Sequence, residues 1–235
     1  MMYGGLLHSA EDMEKNRCDI VDQRPINGHA MAFADLSGMM SVCTKTGDNS
    51  RVNVLSALMS FSLALEAAKN YEVGIITPYH AQSRLLHAMA RDVADANPEL
   101  KPIACATVHQ FQGSEKDVIV YDAVDCYRIP YPGMLLTSTG NNYANRLFNV
   151  ALTRAKGKFI GVANIAYMDN KNLSSNLMFE RVIEGQRRKP SCLTGQELSR
   201  KRSAIRGSTM SFFDNDEGKY RFLKDIAEAR REIRI

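Results

Sequence analysis

Three short stretches of this 235-residue chain concentrate side chains that can do chemistry. Thr77-Pro78-Tyr79-His80-Ala81-Gln82-Ser83-Arg84 brings together a hydroxyl, a phenol, an amide and a guanidinium. Ala106 to Val124 (ATVHQFQGSEKDVIVYDAV) opens on a polar turn around Gly113 that carries Gln110, Gln112, Ser114, Glu115 and Lys116. Asn145 to Lys156 (NRLFNVALTRAK) presents Asn145, Arg146, Asn149 and Arg154. Polar groups in such loops belong at the edge of an α/β sheet, where a rigid scaffold positions them. His109 stands alone and receives no catalytic role.

The elements that must position these groups follow from hydrophobic pattern. Asp117 to Val124 is apolar and rich in β-branched residues, which reads as a buried strand of a parallel sheet. Ile103 to Thr107 reads as a second strand, VGIIT up to Thr77 as a central one ended by Pro78, and Met31 to Leu36 and Lys158 to Asn164 as two more. Met40 to Thr46 is expected to extend the sheet. Helices are predicted over Arg51 to Asn70, with a turn and cap at Gly47 to Ser50, over Tyr79 to Asn97, and over Tyr143 to Ala155. Alternating strands and helices predict an open parallel sheet covered by helices. Loops leaving its carboxyl strand ends converge on one edge, and Asn145, Asn149 and Arg146 or Arg154 are expected to project toward it.

Residues 1–28 show no clear period and read as a segment entering a domain at 29–170. Residues 171–235 change character. Ser174 to Glu184 suggests a helix, Gln186 to Arg206 a basic exposed segment, and Asn215 to Arg234 a helix capped by Asp214 or Asp216. The net charge is +4 and the isoelectric point about 8.8, which is compatible with a polyanionic partner without demanding one. The five cysteines are scattered without a C-x-x-C pair, as expected of reduced thiols in a cytoplasmic protein and not of a metal site. No signal peptide is evident, and Val54 to Ala68 is too short and too polar to span a bilayer, so no membrane association is expected.

VGIITPYHAQ, TVHQFQGSEKDVIV and NRLFNVALTRAKGKFIGVAN resemble motifs IV, V and VI of superfamily 1 helicases of the Upf-like branch, in the family's order and spacing. The resemblance covers roughly residues 30–165. It implies two RecA-like domains with ATP in the cleft between them, and this chain resembles the second. The implied fold is α/β, a RecA-like open, mainly parallel sheet flanked by helices, like a P-loop NTPase without the P-loop, with a helical basic tail. The family's arginine finger falls on Arg154, where a guanidinium stabilises charge on the transferring phosphoryl group and is worth about 10³ to 10⁵ in rate. By the same resemblance Glu115 and Gly113 belong to the nucleotide site, and Tyr79 packs on the adenine. Gln82 and Arg84 are further ATP contacts. Thr77 and Thr107 sit where relatives touch nucleic-acid phosphates. Ser50-Arg51-Val52-Asn53 also resembles the family, but Ser56 stands where a glutamate is usual.

No G-x-x-x-x-G-K-[ST] occurs in the chain, and no Asp-Glu pair at a strand end precedes the matched region. The resemblance therefore implies half of an ATP site. Ligands for Mg²⁺, and a first RecA-like domain in cis or trans, are expected from elsewhere. Met1 to Leu7 resembles the segment leading into the second domain, so the chain is expected to be a truncated or split product. Phe213 to Ile235 resembles the entry to a phospholipase D-like domain, without its H-x-K motif. Two functions are expected: the second motor domain of an ATP-dependent helicase acting on single-stranded DNA or RNA with 5′-to-3′ movement, or a non-catalytic remnant that binds nucleic acid or a partner protein.

Overall fold

Neighbouring apolar residues along each strand point to opposite faces, and this alternation divides the core in two. The computed structural model describes residues 11–198. In chain order, α1 (Glu11–Asp22) leads to β1 (Met31–Asp35) and a hairpin of β2 (Thr44–Lys45) with β3 (Arg51–Val52). Then come α2 (Val54–Ala68), β4 (Val73–Thr77), α3 (His80–Ala96), β5 (Ile103–Thr107) and β6 (Lys116–Asp122). A short α4 (Met134–Thr137), a 3₁₀ turn at Gly140–Asn142, α5 (Tyr143–Leu152), β7 (Ala155–Ala163), α6 (Ile165–Asp169), α7 (Met178–Gln186) and β8 (Cys192–Thr194) complete the described chain.

The strands form a sheet in the order β5-β4-β6-β7-β1-β8, parallel at every junction. Val118 and Val120 of β6 join Val73 and Ile75 under α2 and α3. Ile119 and Tyr121 point the other way, into a core with Phe148 of α5 and Phe179 of α7. Helices on both faces of an open parallel sheet make this the RecA-like α/β fold.

Parallel pairing places all carboxyl strand ends at one edge. α3 starts there, directly after β4. α2 and α5 also start there, because each ends just before the amino end of the next strand. Asn53 caps α2, its side chain accepting from the Ser56 N–H at 3.1 Å. The expected cap at Gly47 to Ser50 is instead the turn of the β2–β3 hairpin, where Asn49 takes a positive φ of 59°. Met40 to Thr46 does not extend the main sheet, because its only strand residues pair with β3.

Several elements were not foreseen, among them α1 and β8. α1 arises in the segment read as lacking a period, with Ile20 packed on Gly157. β8 arises in the segment read as basic and exposed, and pairs with Phe33, Ala34 and Asp35 of β1. The helix expected over Asn215 to Arg234, the resemblances of Met1 to Leu7 and Phe213 to Ile235, and the basic run beyond residue 198 lie outside the described residues.

Candidate functional site

At the carboxyl edge, Thr77 and Thr107 face each other in register at the ends of β4 and β5. Thr77 is fully enclosed, and its carbonyl accepts from the Val108 N–H at 3.2 Å. Thr107 is half-buried and donates its hydroxyl to Gln110 Oε1 at 3.1 Å. Arg84 is exposed on the first turns of α3.

Tyr79 and Gln82 turn inward. The Tyr79 hydroxyl donates to Asp125 Oδ2 at 2.6 Å, and the Arg51 guanidinium sits 5.3 Å from its ring centroid. Asp125 also accepts from Arg51 Nη1 at 2.5 Å and from the Gly133 N–H at 2.7 Å. Burial pushes the Asp125 carboxyl up, and these donors pull against it. Gly133 must be glycine, because a Cβ there would run into the Tyr79 hydroxyl. Gln82 is fully enclosed. Its Nε2 donates to Asp122 Oδ2 at 2.7 Å and to the Asn53 carbonyl at 3.0 Å, and its Oε1 accepts from the Asn53 N–H at 2.9 Å. Ser56, in place of the family's glutamate, donates to Asp122 Oδ1 at 2.5 Å. Burial raises the Asp122 carboxyl to about 6 against the donors around it.

The β5–β6 loop joins this edge to the opposite one. Its first residues turn tightly, the Phe111 N–H donating to the Thr107 carbonyl at 3.0 Å. Phe111 then lies on Gly74 of β4, where any Cβ would collide with the ring. Gly113 has φ +88° and open space around it, so its conformation, not crowding, calls for glycine. The loop ends at Glu115, which is exposed at the amino edge, immediately before β6. Lys116 pairs with Glu72 at 3.1 Å, not with Glu115.

Arg154 lies at this amino edge too, in the turn between α5 and β7. The Lys116 N–H donates to its carbonyl at 3.0 Å. Its half-buried guanidinium makes only long hydrogen bonds, from Nε to the Val150 carbonyl at 3.3 Å and from Nη2 to Thr153 Oγ1 at 3.4 Å. It forms no ion pair among the described residues.

The sequence-derived residues therefore form two groups and not one. Thr77, Thr107, Tyr79, Gln82 and Arg84 lie at the carboxyl edge, while Glu115 and Arg154 lie at the amino edge, separated by the length of a strand, roughly 20 Å. The single edge expected for all three stretches is corrected here: α5 begins at the carboxyl edge but delivers Arg154 at the other end. Asn145 is tied to the start of α7, accepting from the Met178 N–H at 2.7 Å. Sequence reasoning missed Asp122 and Asp125, hubs of the carboxyl edge. Two aspartates at the end of an otherwise apolar run were the available signal. Among the described residues no three His, Cys, Asp or Glu side chains are placed to hold a metal ion, and no helix is long and apolar enough to cross a membrane.

Residues 1–166 match the AAA domain family. The chain is 25% identical over 175 residues to the mouse 5'-3' DNA helicase ZGRF1, covering 73% of this chain and 8% of that protein. It is 32% identical over 108 residues to helicase sen1 of Schizosaccharomyces pombe, covering 45% and 6%. It is 35% identical over 109 residues to the regulator of nonsense transcripts 1 of Dictyostelium discoideum, covering 46% and 8%. The chain thus spans less than a tenth of the length of each of these relatives.

Proposed function

Because the chain belongs to the AAA domain family, as the C-terminal RecA-like domain of a superfamily 1 helicase of the Upf-like branch, we propose that it is a second motor domain with a nucleotide face at its amino edge and a nucleic-acid face at its carboxyl edge. One observation carries this reading. Arg154 and Glu115 come from separate motifs yet end side by side, joined by the Lys116–Arg154 backbone hydrogen bond, with the guanidinium free of carboxylates among the described residues.

Arg154 supplies charge to phosphate oxygens. A guanidinium stays protonated throughout the working pH range and presents a planar fork of donors. It gains most where negative charge develops, on the phosphoryl group in transfer. Glu115 accepts hydrogen bonds from the nucleotide's sugar. The phosphate loop and the ligands of Mg²⁺, which neutralises the phosphates when bound, come from a first RecA-like domain. Thr107 and Arg84 meet the phosphates of a single strand of DNA or RNA, with the backbone at Thr77. Tyr79 and Gln82 support that edge through Asp125 and Asp122.

Arg154→Ala tests the reading in a protein that also contains the first domain. Nucleic-acid-stimulated ATPase should fall about 10³-fold or more, with strand binding and thermal unfolding unchanged. Arg154→Lys should recover little, because an ammonium cannot reproduce the fork. An unchanged turnover in Arg154→Ala removes the finger assignment.

A further inference from the structure

Every large apolar side chain that stands well exposed among the described residues lies at the carboxyl edge of the sheet. They are Met40, Val54, Tyr127, Tyr131, Met134 and Tyr143. Met40 follows β1, and Val54 and Tyr143 open α2 and α5, whose first residues lie at that edge. Tyr127, Tyr131 and Met134 belong to the chain leaving β6. Scattered singly, exposed apolar residues need no explanation, but their confinement to one edge does.

The aromatic members have polar and cationic company. Lys171 Nζ lies 5.7 Å from the Tyr131 ring centroid and 5.1 Å from that of Tyr167. Tyr127 meets Tyr167 edge-on at 5.6 Å. Beside β5, His109 Nε2 is 3.1 Å from the Tyr143 hydroxyl. Arg128 and Arg84 are exposed at the same edge. Of the carboxylates near this edge, Asp122 and Asp125 are buried and Asp169 is held by Arg187 at 2.5 Å, whereas Asp48, which feels the charge of Arg84, is exposed. Exposed flat rings interleaved with cations suit a polyanion whose bases are unpaired. Bases stack on such rings irrespective of sequence, while the cations follow the backbone.

We propose that Tyr131 and Tyr143 are base-stacking platforms for a single strand crossing the carboxyl edge. Lys171 steadies the Tyr131 ring and His109 steadies Tyr143. The inference rests on the reading of this edge as the nucleic-acid face, and it adds that bases, and not only phosphates, are held there.

The chain contains nine tyrosines and no tryptophan, so its intrinsic fluorescence reports tyrosine directly. The 235-residue chain is titrated with oligo(dT) and with an abasic deoxyribose-phosphate strand of equal length. Oligo(dT) should quench the fluorescence and bind more tightly than the abasic strand. Tyr131→Ala and Tyr143→Ala should each weaken oligo(dT) binding by about 5- to 150-fold, and Tyr131→Phe, which keeps the ring, should bind like the parent. Both residues are exposed, at 71% and 41%, so circular dichroism should show intact folds. Equal binding of the two strands, or unchanged binding by both Ala variants, overturns the stacking and leaves a phosphate-binding edge. Loss of first-domain binding by the Ala variants, with oligo(dT) binding intact, overturns it in favour of a protein contact. Binding of neither strand overturns the stacking and the nucleic-acid face together.

Discussion

Asp122 is a carboxylate enclosed at the carboxyl end of β6, and its environment makes stability depend on pH. Burial raises its folded pKa to about 6, from 3.8 when free. The folded state therefore binds a proton more readily than the unfolded one. The resulting stabilisation is fully present below pH 3.8 and is lost as pH rises to about 6. Asp122→Asn abolishes this dependence. Across that window, urea unfolding of the parent should lose on the order of 2 to 3 kcal/mol that the variant does not. The variant should also start lower, by about 1 to 3 kcal/mol, because its amide meets the Gln82 donor and leaves a buried hydrogen bond unmade. Parallel pH profiles for the two proteins would remove Asp122 as the cause. Such a role was not legible in the sequence. Gln82 and Tyr79 stood in a motif that promised ligand contacts, and only the fold reveals two buried aspartates that take up their polar atoms.

The β5–β6 loop is the element that connects the two edges of the sheet. It leaves Thr107 at one edge and reaches Glu115 at the other, pressed to the sheet by Phe111 on Gly74. Phe111 is 3% exposed, so Phe111→Ala should cost about 3 to 5 kcal/mol in denaturant unfolding. Gly74→Ala overpacks the same contact and should cost about 1 to 3 kcal/mol while lifting the ring. In a two-domain protein the milder Gly74→Ala should retain strand binding and basal ATPase but lose much of the stimulation by nucleic acid. Full stimulation would show that the loop does not carry the signal. The strands around this loop were legible, because buried parallel strands are continuous apolar runs that few other structures explain. α1 and β8 were not. α1 is a polar helix with Ile20 as its one buried apolar anchor among the residues whose burial is described, and β8 is three residues long, so neither had enough pattern to stand out. The two-edge arrangement was also hidden, because it depends on which end of α5 is nearer the ligand, and periodicity does not encode that.

At the scale of the whole molecule, Arg154 as the proposed finger needs a partner that holds the phosphates. Arg154 can lower the energy of a transition state only when the nucleotide is already placed in line, and positioning supplies a large share of phosphoryl-transfer catalysis. The 235 residues contain no phosphate-loop motif. The chain by itself should therefore show no ATPase above background in a phosphate-release assay, with or without single-stranded DNA or RNA. Its strand binding should nevertheless be measurable, because the carboxyl edge carries Thr107, Arg84, Tyr131 and Tyr143 among the described residues. It should also weaken steeply as salt rises, since cations such as Lys171, Arg84 and Arg128 release counterions from the phosphates they meet. Adding a first RecA-like domain with an intact phosphate loop should restore turnover, and Arg154→Ala in this chain should abolish the restored activity without altering the salt dependence of binding. Turnover by the chain alone would mean that it builds a phosphate site of its own, and the division of labour between its edges would have to be drawn again.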